Sequence, residues 1–120
     1  MTQHYIGTKI VMAWAQDKDG QPGYSVKYSD GYISWCPKAQ FEEANVAIGH
    51  VGHLPPHQQR MVGELHQLED RIKKLEGFLA TTVYAELPED ERQLLKMQAD
   101  AMVLYLGILN TRVERMGGAA

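Results

Sequence analysis

Arg112 and Tyr105 are the two side chains of this sequence best suited to bind an anionic, aromatic ligand. They lie one heptad apart beside an apolar row, and Asn110 is close to them in sequence. A guanidinium presents a planar fork of donors that matches phosphate oxygens, and a tyrosine offers a stacking plane with a hydroxyl. An asparagine amide can read a base edge. A solvated Arg112, or one paired with Glu91 or Glu114, explains the same pattern equally well.

Lys27 is a second candidate cation, on the polar face of a predicted β-hairpin with Tyr32 beside it. Lys27 can contact a ligand if that face lies next to the ends of neighbouring helices. The Tyr32 ring would then line one side of the site. A single lysine in a strand is ordinarily a solvated edge residue. The sequence alone leaves both interpretations open.

A third candidate set is His57, Gln58 and Arg60, which follow two prolines at the start of a predicted long helix. A helix N-terminus offers free backbone N–H groups and the positive end of the dipole to an anion. If three subunits brought this end together, a threefold anionic ligand would fit on the axis. The alternative is an ordinary helix start with solvated polar residues.

The motifs of several other functions are missing from the sequence. There is no phosphate-binding loop, no GxGxxG or GxSxG motif, and no paired H-x-T motif of the kind found in cyclic-nucleotide phosphodiesterases, so we expect no catalytic site and no cofactor. Cys36 is the single cysteine, which excludes an internal disulfide, and no base is in register with it. The histidines are irregularly spaced, so we expect no metal.

The charge balance also limits the possible partners. With 12 Lys and Arg against 15 Asp and Glu, the net charge is -3, so no basic field indicates a long nucleic acid. An anionic ligand would have to be held by a few placed cations. The first residues do not resemble a signal peptide, and the apolar stretch at residues 101–109 is too short to span a bilayer. We expect a soluble intracellular protein.

The N-terminal part, residues 1–48, is predicted to be an antiparallel sheet with a short helix. Residues 5–15 read as a strand, and residues 24–35 as a hairpin with Asp30 and Gly31 as a two-residue turn. That turn places Lys27 opposite Ser34. It predicts an apolar face of Tyr24, Val26, Tyr28, Ile33 and Trp35 and a polar face of Ser25, Lys27, Ser29, Tyr32 and Ser34. Pro37 then opens the short helix, which runs through Ala44.

Residues 49–120 are predicted to form a linker and a long antiparallel helical hairpin. The first helix begins at Pro56, and Pro88 with three acidic residues opens the second. Gly117 and Gly118 mark its end. The apolar seam of the first helix consists of Met61, Leu65, Leu68, Ile72, Leu75 and Leu79. The predicted fold class is α+β, one compact unit in which the sheet and the helices share a core.

The second helix is apolar on nearly every side over residues 101–109. A helix of this kind is buried on every side. One partner helix and a small sheet can scarcely enclose it, so we expect subunit contacts; burial under the chain's own sheet is the alternative. Its seam is predicted to have one row of Leu95, Met102, Leu109 and Met116 and a second row of Gln98, Tyr105 and Arg112.

Three segments resemble the phage Thoeris anti-defence proteins of the first type: YIGTKIVMAWAQ, GYSVKYSDGYISWCPKAQFEEA and YLGILNTRVERM. The segment PPHQQRMVGELHQLEDRIKKLEGFL is similar to a helical hairpin of many small phage proteins. Together the two similarities cover nearly the whole chain. The strings YIGTKI and DGYISWCPK are the more specific part of the resemblance. The helical half is less specific, because unrelated heptad repeats have similar sequences.

The resemblance implies a sponge in the cytoplasm of the infected bacterium. Such proteins hold cyclic ADP-ribose isomers intact, as hexamers arranged as trimers of dimers, and some bind the cyclic trinucleotides of CBASS defence at separate sites. By position the family's two basic binding residues correspond to Lys27 and Arg112, although an arginine is expected where Lys27 stands. The trinucleotide role of His57, Gln58 and Arg60 comes from helix-end geometry alone. The alternative function is a phage structural or protein-interaction module.

Overall fold

The structure is a computed structural model that describes residues 1–118 of the chain. It divides into two compact units, Met1–Asn45 and Val46–Ala120. The first holds a three-stranded antiparallel sheet in the order β1-β2-β3, and the second holds long helices, which confirms the predicted α+β class. That the units share one core stays a prediction.

The N-terminal unit contains β1 (Met12–Ala15), β2 (Gly23–Lys27), β3 (Ile33–Pro37) and the short helix α1 (Lys38–Ala44). The helix follows Pro37 as predicted. The first strand was predicted over residues 5–15 and is much shorter. Met12 pairs with Lys27, the last residue of β2, so residues before Met12 have no strand opposite them to complete a ladder.

The hairpin turn differs from the prediction by one residue. The Tyr28 N–H donates to the Tyr32 carbonyl at 2.9 Å, which leaves the three residues Ser29, Asp30 and Gly31 in the loop. Gly31 has φ +90°, a left-handed conformation that suits glycine. A type I turn followed by such a residue is the usual three-residue hairpin loop, and the same Asp-Gly pair fits it as well as a two-residue turn.

This extra loop residue reverses the faces of β3 relative to β2. Lys27 lies opposite Ile33, not Ser34, and Ser25 lies opposite Trp35. Because side chains alternate along a strand, a slip of one residue moves every side chain of β3 to the other face. The predicted separation into an apolar and a polar face is therefore wrong. The face that carries Lys27 consists of Met12, Trp14, Ser25, Lys27, Ile33 and Trp35.

The opposite face of the sheet carries helix α1. The Tyr24 ring stacks on Phe41 with 4.5 Å between centroids, and its hydroxyl donates to Glu42 at 2.7 Å. Val26, on the same face as Tyr24, is buried. The N-terminal unit thus covers one face of its sheet with its own helix.

The C-terminal unit contains α2 (Pro56–Leu79), the one-turn helix α3 (Thr82–Ala85) and α4 (Glu89–Gly118). Pro56 lies in the first turn of α2, and Glu89 lies with two further acids in the first turn of α4, as the sequence predicts. The short helix in the connection is capped by Thr81, whose hydroxyl accepts from the Tyr84 N–H at 3.2 Å. No helix in the described part of the chain combines the length and the apolar character needed to cross a bilayer.

Helices α2 and α4 pack along a common apolar seam, in which Leu109 is fully buried. Leu109 belongs to one apolar cluster with Leu65, Leu68 and Ile72, all members of the predicted α2 seam. The row Leu95, Met102, Leu109 and Met116 of α4 is buried or half-buried. The second row of α4 is Ala99, Leu106 and Val113. It is not Gln98, Tyr105 and Arg112, which are exposed.

Candidate ligand-binding site

Two of the predicted site sets lie at the same end of the helical unit. The Tyr105 hydroxyl donates to the Glu64 carboxylate, which fixes the pairing of α2 with α4. His57 is one heptad before Glu64, and Arg112 is one heptad after Tyr105. Because the two helices run antiparallel, equal steps of about 10 Å in these directions lead to the same level. The start of α2 therefore lies beside the last turns of α4.

The pKa of Tyr105 responds to charged groups on both helices. Its hydrogen bond to Glu64 raises the pKa of the phenol, and desolvation and the Glu64 charge raise it further. The positive charge of Arg112 lowers the same pKa, so the guanidinium is close enough to act on the ring. Tyr105, Glu64 and Arg112 thus form one electrostatic group on the flank of the helix pair.

Arg112 is exposed on this flank and does not face α2. The positions that face α2 are each one residue further along, such as Leu106 after Tyr105 and Val113 after Arg112. The guanidinium instead borders a shallow depression on α4. The depression is lined by Leu104, Gly107, Ile108, Thr111, Arg112 and Arg115. An apolar floor with two guanidinium groups at its edge can accept a ring and a phosphate together.

Asn110 is not part of this group. It lies two residues before Arg112, which is a rotation of about 200° around an α-helix. Its exposed side chain is therefore on the far side of α4 from Arg112 and Tyr105. Within one chain the structure does not bring the three side chains together.

The start of α2 offers fewer free backbone donors than the sequence suggested. The N–H groups of Gln58 and Gln59 both donate to the Pro55 carbonyl at 3.0 Å, and Pro56 has no N–H. Recognition at this end would rest more on side chains. His57 and Arg60 are exposed, and Gln58 is half-buried.

Lys27 lies in the N-terminal unit on the exposed, mainly apolar face of the sheet. It is flanked across the ladder by Met12 and Ile33, which are 66% and 53% exposed. Tyr32 does not accompany it. The Tyr32 ring stacks with Tyr28, with 6.2 Å between centroids, and strand alternation places Tyr28 on the face opposite to that of Lys27.

Trp14 and Trp35 are the aromatic residues on the face of Lys27, and neither was among the predicted site residues. Trp14 is 42% exposed, and the Trp35 indole N–H donates to the Gln16 carbonyl at 2.6 Å. The Lys18 ammonium lies 5.6 Å from the centroid of Trp35. Had the Asp-Gly loop been predicted with three residues, the register would have placed both tryptophans on the face of Lys27.

A metal centre has no support in residues 1–118. Within that range no group of three or more His, Cys, Asp and Glu side chains is arranged to hold a metal ion. Cys36 is a free, half-buried thiol on β3.

The helical unit identifies the family of the protein. The family model Sequestin matches residues 55–115, just over half of the chain, and the chain belongs to the Sequestin family. The matched segment begins at the end of the linker and includes α2, α3 and most of α4. No curated protein and no solved structure matches the chain. The match agrees with the resemblance to phage sponge proteins, and it covers the helices, not the β-hairpin.

Proposed function

We propose that this Sequestin family member binds cyclic nucleotide immune signals and holds them without cleaving them. The observation that carries the proposal is the position of Arg112 and Arg115 beside an apolar depression, at the end of the helical unit where α2 begins. The family name and the similarity to phage Thoeris anti-defence proteins support sequestration as the mode of action. The place of action would be the cytoplasm of an infected bacterium.

A cyclic ADP-ribose isomer fits the chemistry of this end of the helices. Its pyrophosphate would be bound by the guanidinium of Arg112, which can donate two parallel hydrogen bonds. Its adenine would lie on Tyr105 or on the apolar floor that Leu104 and Ile108 provide. Asn110 points to the other side of α4, so it would contribute only from a second copy of the chain.

A cyclic trinucleotide would be held by His57, Gln58 and Arg60 if several subunits brought their α2 N-termini together. The exposed side chains of His57 and Arg60 support this arrangement. The chain itself supplies a single copy of the set. The trinucleotide proposal therefore depends on an oligomer, which we expect to be a dimer or a hexamer built from dimers.

The face of Lys27 supplies a separate combination of one ammonium and two indole rings. Base stacking on an aromatic side chain contributes roughly 1–3 kcal/mol, and a lysine adds a point charge for a phosphate. Trp14 and Trp35 replace Tyr32 as the proposed aromatic partners of Lys27. Lys27 would bind a phosphate of the cyclic ADP-ribose isomer, as the family resemblance implies for the hairpin lysine.

Calorimetric titration of the purified protein with a cyclic ADP-ribose isomer tests the proposal. We expect submicromolar affinity, and heating the complex should release the ligand chemically unchanged. The variant Arg112→Ala should bind about ten- to hundred-fold more weakly, since a hydrogen bond to a charged group contributes roughly 1.5–3 kcal/mol. Arg71→Ala removes another exposed arginine, from α2, and should bind like the unmodified protein.

Two results would contradict the proposal. Recovery of a cleaved nucleotide would indicate an enzyme. A thermal-shift series without stabilisation by any cyclic nucleotide would favour a protein-interaction module, because a ligand at 100 times its dissociation constant stabilises a fold by about 2.7 kcal/mol.

A further inference from the structure

Glu64 places a negative charge beside the proposed ligand site, and the proposed function gives it no role. Its carboxylate accepts a hydrogen bond from the Tyr105 hydroxyl, across the pair of helices α2 and α4. The pKa of Tyr105 responds to the charges of both Glu64 and Arg112, so the three groups are close enough to interact. A carboxylate beside an arginine that binds phosphate opposes the binding of every anion at that place.

The charge of Glu64 is not neutralised by an ion pair. Within residues 1–118 the ion pairs join His66 to Glu69 at 3.9 Å and Lys74 to Asp70 at 2.9 Å. Glu64 is exposed, and the group that donates to it is a neutral phenol. The ionised carboxylate therefore keeps its full negative charge on the flank where Arg112 lies.

The hydrogen bond to Glu64 also determines what Tyr105 can offer to a ligand. A phenol has one hydrogen to donate, and here the carboxylate accepts it. The Tyr105 ring, which is 41% exposed, can still stack on a base, but the hydroxyl cannot donate to a phosphate oxygen at the same time. Binding of phosphate is left to the guanidinium groups of Arg112 and Arg115.

The balance of charge at this flank suits a ligand with few phosphate charges. Arg112 and Arg115 supply two positive charges at the edge of the depression. The pyrophosphate of a cyclic ADP-ribose isomer carries one negative charge on each phosphorus atom, which matches them. A phosphomonoester would add a charge of about −1.5 to −2 near pH 7. Glu64 repels this additional charge.

We propose that Glu64 is a specificity-determining residue of the ligand site, whose charge discriminates against nucleotides that carry a phosphomonoester. This role rests on the proposed function and names the class of nucleotide that the site rejects. Linear nucleotides such as ATP are abundant in cytoplasm and end in a phosphate group of high charge. A site that sequesters a scarce cyclic signal must leave them unbound, and repulsion of the wrong ligand contributes to specificity as much as attraction of the right one.

Calorimetric titration with two matched ligands tests the proposal. Cyclic ADP-ribose and cyclic ADP-ribose 2′-phosphate differ by one phosphomonoester. Glu64→Gln removes the charge, and the amide oxygen can still accept from Tyr105. In about 0.01 M salt, two unit charges roughly 8 Å apart change an equilibrium about twofold, and nearly two added charges change it about fourfold. Glu64→Gln should therefore lower the preference for the ligand without the monoester about fourfold.

Two variants serve as controls for the titration. Glu76→Gln makes the same charge change at an exposed position of α2, about 18 Å further along the helix, and should change the preference less than about twofold. Tyr105→Phe removes the hydrogen bond and keeps the Glu64 charge, so the preference should remain. A preference that is lost in Tyr105→Phe and kept in Glu64→Gln would overturn the proposal, because the hydrogen bond and not the charge would then determine it.

Salt provides a second measurement that a purely structural role of Glu64 would not change. At about 1 M salt the Debye length falls to roughly 3 Å, so the difference in preference between the unmodified protein and Glu64→Gln should disappear. Equal preferences of the two proteins at low salt would overturn the proposal, as would a difference that is independent of salt.

The same titrations separate the role of Glu64 from the proposed function. If the unmodified protein holds cyclic ADP-ribose intact and Glu64→Gln has the same preference, the role of Glu64 is overturned and sequestration stands. If the ligand is recovered cleaved while Glu64→Gln still changes the preference, sequestration is overturned and the role of Glu64 stands. A protein that binds neither ligand overturns both.

Discussion

Truncation of Leu109 to alanine should destabilise the helical unit more than truncation of any exposed leucine of α4. Leu109 is fully buried and belongs to one apolar cluster with Leu65, Leu68 and Ile72 of α2. Leucine-to-alanine changes in closed cores cost about 2–5 kcal/mol, depending on how far the cavity collapses. A layer of two helices can close part of the gap, so we expect about 3 kcal/mol.

Thermal unfolding followed by helical circular dichroism measures this effect. For a unit of fewer than a hundred residues, 1 kcal/mol corresponds to roughly 4–8 °C in the melting temperature. The Leu109→Ala variant should therefore melt about 12–24 °C lower than the unmodified protein. The shift should not depend on protein concentration, because the lost contacts lie within one chain.

Leu104→Ala provides the matched control on the same helix. Leu104 is 70% exposed, so in dilute solution its truncation should cost less than about 0.5 kcal/mol. Equal shifts for Leu109→Ala and Leu104→Ala in dilute solution would refute the assignment of Leu109 to the seam between α2 and α4.

Two further predictions concern the packing around Gly23 in the sheet and the contact between Tyr105 and Glu64. A methyl group at Gly23 would collide with the Trp35 ring, so Gly23→Ala should destabilise the protein by about 1–3 kcal/mol. Gly77 lies in open space on α2, so Gly77→Ala should stabilise the protein by roughly 0.5–1 kcal/mol. If chemical denaturation showed the free energy of unfolding changing in the same direction for both variants, the packing around Gly23 would be contradicted. The pKa of Tyr105 is raised above 10.0, so the Glu64 contact stabilises the fold below that pH and is lost as pH rises through the folded pKa. Tyr105→Phe should therefore remove one phenol from the part of the phenolate absorbance titration that lies above pH 10.0. If the absorbance gained in that part of the titration were unchanged, the contact with Glu64 would be refuted.

The helices could be predicted from the sequence because several local signals agree. The apolar seam of α2, the proline at its start and the acids at the start of α4 all indicate the same boundaries, and the structure confirms them. The second row of α4 that faces α2 was harder to predict. Both Tyr105 and Leu106 lie near the α2 side, and in a helix this apolar the sequence cannot show which neighbour faces the partner.

The sheet was predicted less well because one short turn determines its register. Asp30 and Gly31 fit a two-residue turn and a three-residue loop with Gly31 in the left-handed conformation. Alternation then converts the difference of one residue into a complete exchange of faces for β3. Lys27 was identified as a candidate, but its neighbours, Ile33 and the two tryptophans, depend on a detail that the local sequence leaves undetermined.

The net charge of -3 constrains how the proposed site would hold an anion. A long-range positive field is not available to attract it, so affinity must come from short-range contacts made by a few cations. Arg112 and Arg115 meet this requirement, because both border an apolar depression on α4 where a ring can exclude water from their hydrogen bonds to phosphate. Binding should therefore weaken less with added salt than binding to a basic surface, which would distinguish this site from a nonspecific nucleotide patch.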